Sequence, residues 1–425
     1  MNPLLHKRMR NQWATHGLLL AAMFLLSLPA RAQSSDWKQW GGPNGNFKVE
    51  AKGLATSWPE SGPRRLWNRD LGDGYSSISV ENGVLYTMYR KGEQDVVIAL
   101  SASTGKTIWE FAYDAPFVPA KEYDLAQGPG PRATPIIAGD LVFAVGATSK
   151  FHALDKKTGK VIWKYDLYAD LQGYHRQRGY TITPVAYKNT VIVPLGAPGA
   201  AIIAFNQKDG AIVWKKHDFK LSYGSPTLIK LDGQDQLVAY MHEGPVGVDP
   251  NNGDLLWSYP FKNSESVNAS TPVWGDDNLL FCSSAYDGGS LVLKLTRNGN
   301  QTTVEQVWAN KLMRIHFGNA IRVGNYVYAS SGEGPAPFTA IDVKTGQIAW
   351  RTRGLGRASV LLAEGRFILL DEDGNLALAT PTPEGLKIHS KVESLLTSYA
   401  WTPPTLVGTT LYVRNRKTIM ALDLK

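Results

Sequence analysis

The chain has 425 residues, 43% hydrophobic and 19% charged, with 41 glycines, 24 prolines, 13 tryptophans and a single cysteine. Its formal charge of +8 shrinks once residues 1–32 are set aside, because they hold Lys7, Arg8, Arg10 and Arg31 and no acid, leaving 41 basic against 37 acidic side chains, or +4. Over so long a chain, and with no basic run interleaved with aromatics, that balance excludes nucleic acid as an expected partner; one cysteine excludes an intramolecular disulfide.

Residues 1–32 read as a secretory signal peptide. Lys7, Arg8 and Arg10 form a basic start, Gly17–Leu28 an apolar core, and Ala30-Arg31-Ala32 a small-x-small cleavage signal before Gln33. The apolar run is too short for a membrane span, and no cysteine stands at the cleavage site to take a lipid; a leader kept as an anchor is the alternative. The mature chain is thus expected to be periplasmic or secreted, without a transmembrane segment, and monomeric. Residues 33–63 lack strand periodicity but carry Trp37, Trp40 and Trp58. They are expected to form an arm lying across the domain surface with these indoles docked.

From Arg64 onward a two-part phrase returns eight times. The first part is a small residue, often before proline, then four or five apolar positions, a turn and an aromatic or β-branched run: Ser77–Val80, Ala133–Ile136, Ile182–Val185, Gly224–Thr227, Ser270–Val273, Asn319–Ile321, Ser359–Val360 and Trp401–Pro403. The second part is a strand, a glycine turn and a tryptophan four residues later: Gly105 and Trp109, Gly159 and Trp163, Gly210 and Trp214, Gly253 and Trp257, Gly346 and Trp350. A stretched copy joins Gly299 to Trp308, and a worn one joins Gly385 to His389. A period of about 40–54 residues is that of propeller blades. Within the first unit, breaks at Glu81-Asn82-Gly83, Lys91-Gly92-Glu93 and Ser103-Thr104-Gly105 supply the glycine and Asx residues that hairpins need. They leave four β-favouring runs, Ser77–Val80, Val84–Arg90, Asp95–Leu100 and Lys106–Phe111.

The fold class expected is therefore all-β: an eight-bladed β-propeller of four-stranded blades over residues 64–425. The C-terminal run Ile419–Lys425 lacks the outer strand that follows it elsewhere, and Arg65-Leu66-Trp67-Asn68 is that missing strand. Pairing of the two ends closes the ring and removes two exposed sheet edges.

Ala153-Leu154-Asp155-Lys156-Lys157-Thr158-Gly159-Lys160-Val161-Ile162-Trp163, nearly matched by Ala340–Trp350, resembles the repeat of PQQ-type (pyrroloquinoline-quinone-type) eight-bladed propellers. In that family the tryptophan docks on the neighbouring blade, which implies structural docking roles for Trp67, Trp109, Trp163, Trp214, Trp257, Trp308 and Trp350. Trp37–Asn44, Gly128–Pro135 and Gly247–Pro250 look closest to its exported, non-lipidated members of unknown role. The resemblance also includes quinoprotein dehydrogenases, which hold the quinone and calcium in the central funnel. A lone Cys282 cannot supply the vicinal cysteine pair of alcohol-oxidising members, and no Cys-x-x-Cys-His haem site is present.

Function in a propeller gathers where the starts of the innermost strands converge on the funnel. The residues expected there are Tyr75, Arg132, Tyr180, Tyr223, Asn268, His316, Asn319, Arg357 and Tyr399, an aromatic and cationic set that suits a small anionic or planar ligand. Arg132 and Arg357 are expected to carry much of the affinity; the alternative is that Glu333 or Glu243 lies between them, so that the pocket is satisfied internally and serves structure. Gly173–Tyr180 is the most unusual insertion, rich in donors and aromatics. His242-Glu243 and His316 have no acid–base partner in the sequence. Asp371–Asn375 lacks the spacing of a calcium loop and reads as an Asp-Gly hairpin turn. No catalytic residue and no metal ligand is assigned. The expectation is a binding or scaffold protein of the bacterial cell envelope, with an unknown small ligand or envelope protein as partner and no cofactor. The alternative is a dehydrogenase with PQQ and calcium, oxidising an alcohol or sugar.

Overall fold

The computed structural model describes residues 36–117, 127–173, 177–397 and 399–425; the leader expected over residues 1–32 lies outside them. Among the described residues the strands form eight sheets, seven of four strands and one of five. Blade 1 holds Ser79–Glu81, Val84–Lys91, Gln94–Ser101 and Thr107–Asp114 in that order, within three residues of the boundaries read from the hairpin breaks. Blades 2 to 8 start from the inner strands Ile136–Ala138, Val185–Tyr187, Thr227–Leu231, Val273–Trp274, Ile321–Val323, Ser359–Ala363 and Thr405–Val407. The first strand of each blade is the axis-facing one, wholly buried in blade 1, and the last is largely solvated, as in Thr107–Asp114, where Trp109 alone is buried. Such a blade buries both faces of its middle strands against its neighbours, so these read as continuous apolar runs.

Ring closure follows the expected pairing. Arg64–Asp70 runs antiparallel to Thr418–Asp423, with Trp67 opposite Ala421 and Asp70 opposite Thr418. Blade 8 thus joins Arg64–Asp70 to the last three strands of the chain.

The small-residue–proline phrase acts between blades. The Thr183 hydroxyl accepts from the Thr134 amide at 3.1 Å, and the Ser225 hydroxyl accepts from the Thr183 amide at 3.0 Å. Thr405 and Thr402 reach back to the carbonyls of Ile78 and Tyr75, both at 2.9 Å. Buried hydroxyls so placed meet the backbone groups that a sheet edge at the axis would otherwise leave unpaired. The proline that follows has no N–H to satisfy.

The glycine–tryptophan phrase acts at the rim. In every blade the outermost pairing slips by one residue beside the tryptophan position, as between Val161 and Trp163 or between Arg65 and Trp67. The bulge turns the indole onto the next blade and leaves the preceding residue, such as Ile108 or Ile162, outside. Trp67, Trp109, Trp163, Trp214, Trp308 and Trp350 donate from Nε1 to a carbonyl of the following blade at 2.8–3.3 Å. Trp257 departs: it donates to Gln236 of its own blade at 2.8 Å. The next blade carries its glycine turn at the tip of a hairpin of two ten-residue strands, Gly289–Asn298 and Gln301–Asn310, and open space surrounds Gly299. In blade 7 the slip falls between Ile388 and Ser390, so Ser390 and not His389 occupies the tryptophan position.

The arm does not simply lie across the surface. Asp36 and Trp37 start beside the first hairpin turn of blade 1, where Trp37 bridges Val80 antiparallel and Lys38 accepts from the Ile137 amide at 2.8 Å. The chain then turns at Trp40–Gly45 and returns as Lys48–Val49, parallel to the inner strand of blade 7 opposite Leu362 and Ala363. These partners are innermost strands, whose second edge faces the axis, so the arm is a hairpin-shaped plug in the central channel. Gly41 and Gly42 are required at its tip: both have positive φ, and a Cβ on Gly42 would come within 2.9 Å of the Trp37 ring. Farther on, the arm crosses blades 7 and 8, with Ala55 bonded to Leu424 and Trp58 bonded through both its N–H and C=O to the Ser390 hydroxyl.

Candidate functional site

The plug divides the channel into two cups. The upper one lies where the inner strands begin and has a volume of about 180 Å³. Trp40 forms its floor, held by an Nε1–H bond to the Thr271 hydroxyl at 3.0 Å and by an edge-on contact with Phe47 at 5.1 Å. Tyr75, Tyr223, Phe317 and Trp401 supply aromatic wall, Arg132, Arg178, His316 and Gln127 its polar groups, and Thr181, Thr183 and Ser225 a band of hydroxyls.

Of the nine residues expected in the funnel, Tyr75, Arg132, Tyr223 and His316 line this cup. Tyr75 stacks on Trp401 at 5.0 Å, donates to the Gln127 carbonyl at 2.7 Å, and lies under the Arg132 guanidinium at 5.9 Å. Burial pushes its hydroxyl up to about 12, against the pull of Arg416 and Arg132, so the phenol keeps its proton. Arg132 is shaped by backbone, donating to the carbonyls of Gly128, Gly130 and Arg178 at 3.1–3.4 Å. His316 is pushed down to about 4, by burial first and then by Arg357 and Arg178. Its ring is neutral at pH 7, with Nε2 bonded to the Tyr286 hydroxyl at 3.1 Å and Nδ1 buried without a partner.

The other five stand behind the wall. Tyr180 is in the core and donates to the Pro194 carbonyl at 2.8 Å. Asn268 is wholly buried and donates to the Met241 carbonyl at 2.8 Å. Asn319 clamps Val360, donating to its C=O at 2.6 Å and accepting from its N–H at 2.9 Å. Tyr399 packs on Trp401 at 4.8 Å. Arg357 lies over the outer face of Phe317 at 5.6 Å and pairs with Glu372 at 3.0 Å. Its counter-charge is thus neither Glu333, which sits 3.8 Å from Arg314, nor Glu243, which accepts from the Lys220 amide. Glu372 also accepts from Trp401 Nε1 at 3.0 Å. It comes from the Asp371–Asn375 turn, a hairpin turn as expected, in which Asp371 accepts from the amides of Asp373 and Asn375.

Sequence reasoning missed Phe317 and Trp401, the residues next to or near those chosen in the same strand-start position. It also missed Trp40 as a floor, because nothing in its spacing says that the arm enters the channel. Arg178 was signalled by the unusual Gly173–Tyr180 insertion, of which residues 174–176 lie outside the described residues.

Chemically the cup is cationic and aromatic. The described residues lining it include no carboxylate, and among the described residues no group of three or more His, Cys, Asp or Glu could hold a metal ion. A calcium site needs six to eight oxygen ligands with carboxylates among them, so this donor set does not fit calcium. It suits a planar ligand with one or more carboxylates, gripped by guanidinium groups and stacked on rings.

A family model described as outer membrane protein assembly factor BamB matches residues 58–147 and 96–352. Quinoprotein ethanol dehydrogenase of Pseudomonas aeruginosa is 29% identical over 178 residues, covering 35% of this chain and 27% of that protein. Outer membrane protein assembly factor BamB of Moranella endobia is 22% identical over 361 residues, 81% of this chain and 75% of that one. The matched stretch spans only 27–30% of the length of the first curated dehydrogenases. Among solved structures, BamB from Moraxella catarrhalis superposes with a TM-score of 0.59 at 16% identity over 85% of this chain and 99% of that one, a likeness of fold.

Proposed function

The chain belongs to the family described as outer membrane protein assembly factor BamB, and from that premise we propose that it is an exported binding or scaffold protein of the bacterial cell envelope. Its upper cup takes a small planar anion. The observation that carries this reading is the cup itself: a Trp40 floor, aromatic walls, Arg132 and Arg178, and no carboxylate among the described lining residues. Among the described residues nothing on the wall is poised to remove a proton from an alcohol, since His316 is a poor base and Tyr75 a reluctant acid at neutral pH. The role of an envelope scaffold rests on the family and on the relative from Moranella endobia. In this reading residues 1–32 direct export and Trp37–Val49 serve as the plug.

The quinoprotein dehydrogenase reading is favoured by one feature, an indole beneath a funnel that can stack a flat ring. The described residues of the cup do not supply the calcium donors it needs. The test is a dye-linked assay of the purified protein with pyrroloquinoline quinone, calcium and a panel of primary alcohols and aldoses. No dye reduction above the quinone-only control is expected; sustained, substrate-dependent reduction would overturn the binding reading in favour of catalysis.

A further inference from the structure

The second cup opens at the opposite mouth, where the inner strands of blades 4 to 6 end against the arm. It has a volume of about 440 Å³, within the roughly 300–1,000 Å³ of small-molecule sites. Its wall is unlike that of the upper cup. Trp274, partly exposed, ends the inner strand of blade 5, and Asp276 lies in the turn after it. Asn44 and Lys48 come from the arm and Asn325 from the first turn of blade 6. None of these five side chains makes a hydrogen bond or ion pair among the described residues.

Lys48 is the informative one. Burial lowers its pKa, Asp276 opposes the shift and Arg322 adds to it, so a partly desolvated ammonium faces the cup without a contacting partner. Arg322 and Asp277 neutralise each other through two bonds of 2.7 and 2.6 Å. The remaining charges are Lys48 and Asp276, one of each sign, so the cup is close to neutral and favours no ion. What it offers is an ammonium donor, a carboxylate acceptor, two amides that both donate and accept, and an indole. Vicinal hydroxyls satisfy such mixed donors and acceptors together, and the apolar C–H face of a sugar ring lies flat on an aromatic surface. We propose that this cup binds a pyranose, as a free sugar or as the end of a glycan, with Trp274 as the platform and Lys48, Asp276, Asn44 and Asn325 holding hydroxyls.

The plug separates this site from the upper cup, so it can be tested alone. Saturation-transfer NMR on the purified protein with D-glucose, D-galactose or N-acetylglucosamine, and with a soluble trisaccharide of each, is the direct measurement. At least one ring is expected to give saturable transfer in the millimolar range. A trisaccharide binding more tightly than its monosaccharide assigns the site to glycan ends, and equal binding assigns it to free sugars. Trp274→Ala should weaken binding roughly tenfold, Trp274→Phe should restore most of it, and Asp276→Asn, a surface change that leaves folding intact, should weaken it severalfold. Phe317→Leu, in the other cup, should leave it unchanged. No saturable transfer from any of these sugars, or transfer that survives both Trp274→Ala and Asp276→Asn, would overturn the proposal.

Discussion

Gly210 lies flat against the indole of Trp163, one blade away: a Cβ built on Gly210 would come within 2.7 Å of the ring. The same seat recurs between Gly105 and Trp67, Gly159 and Trp109, and Gly346 and Trp308, with the same built contact at 2.6–2.8 Å. Each glycine is at positive φ, so it answers two demands, a left-handed turn and room for the neighbouring indole.

Trp163 is 8% exposed and bonds Gln207 across the seam at 2.9 Å. Trp163→Ala is expected to cost about 3–5 kcal/mol, the usual loss for a large buried aromatic. His389→Ala should cost far less, because His389 is the residue pushed out by the bulge and its ring bonds the Thr380 hydroxyl of its own blade. Denaturant titration of both variants checks this; equal losses would contradict the seam account.

Gly210→Ala separates the seat from the backbone. Gly233 also has positive φ but nothing within 4 Å of its built Cβ. Gly233→Ala should therefore show the backbone cost alone, about 1–2 kcal/mol, and Gly210→Ala clearly more. The comparison is of midpoints at constant slope in the same titration.

Removal of Ile419–Lys425 unpairs most of the strand opposite Arg64–Asp70 and also the Ala55–Leu424 bond that ties the arm to blade 8. Loss of the single cooperative melting transition and a tendency to associate through the exposed edge are expected. A truncated protein that stays monomeric and melts at the same temperature would contradict closure.

Acid should destabilise the fold. His152 is 3% exposed, packs on Tyr113 at 4.3 Å and Phe111 at 5.0 Å, and is pushed down to about 4, by burial first and then by Lys164 and Lys150. Between about pH 4 and 6.5 the unfolded chain therefore binds more protons than the folded one, so this contribution is full above the unfolded value and is lost as pH falls. His316 acts in the same direction. Asp95, raised to about 6 by burial, and Asp371, also raised by burial, oppose them over part of that window. Two imidazoles lowered from 6.5 to about 4 outweigh the two carboxyls between pH 5 and 7, and a lower melting temperature at pH 5 than at pH 7 is expected. His152→Gln should flatten the slope, by an amount on the order of 1–2 kcal/mol between these pH values. A melting temperature that rises on acidification would have the wrong sign.

The fold was legible because its signals repeat. A hydroxyl before proline and a tryptophan after glycine each solve one local problem, inner-edge hydrogen bonding and seam packing, and the same solution recurs in blade after blade. The exceptions were opaque for the same reason. Counting four residues from Gly385 points to His389, but the bulge in blade 7 falls one residue later and leaves Ser390, met by Trp58 of the arm, in that place. The site was legible only as a position: strand starts gave Tyr75, Arg132, Tyr223 and His316. Whether a residue at that level faces the cup or, like Asn319, turns back to clamp the next blade depends on side-chain direction, which spacing does not encode. Trp40 depends on a tertiary event, the entry of the arm between inner strands, for which the glycines of its tip were the only trace.

The central claim is that the upper cup is a calcium-independent anion site floored by the arm. Calorimetric titration of pyrroloquinoline quinone, a planar tricarboxylate, into the purified protein in the presence of a calcium chelator tests it most directly. Saturable binding at one site is predicted, weakened at least roughly tenfold by Trp40→Ala and by Arg132→Ala. No binding, or binding that emerges only when calcium is restored, would contradict it.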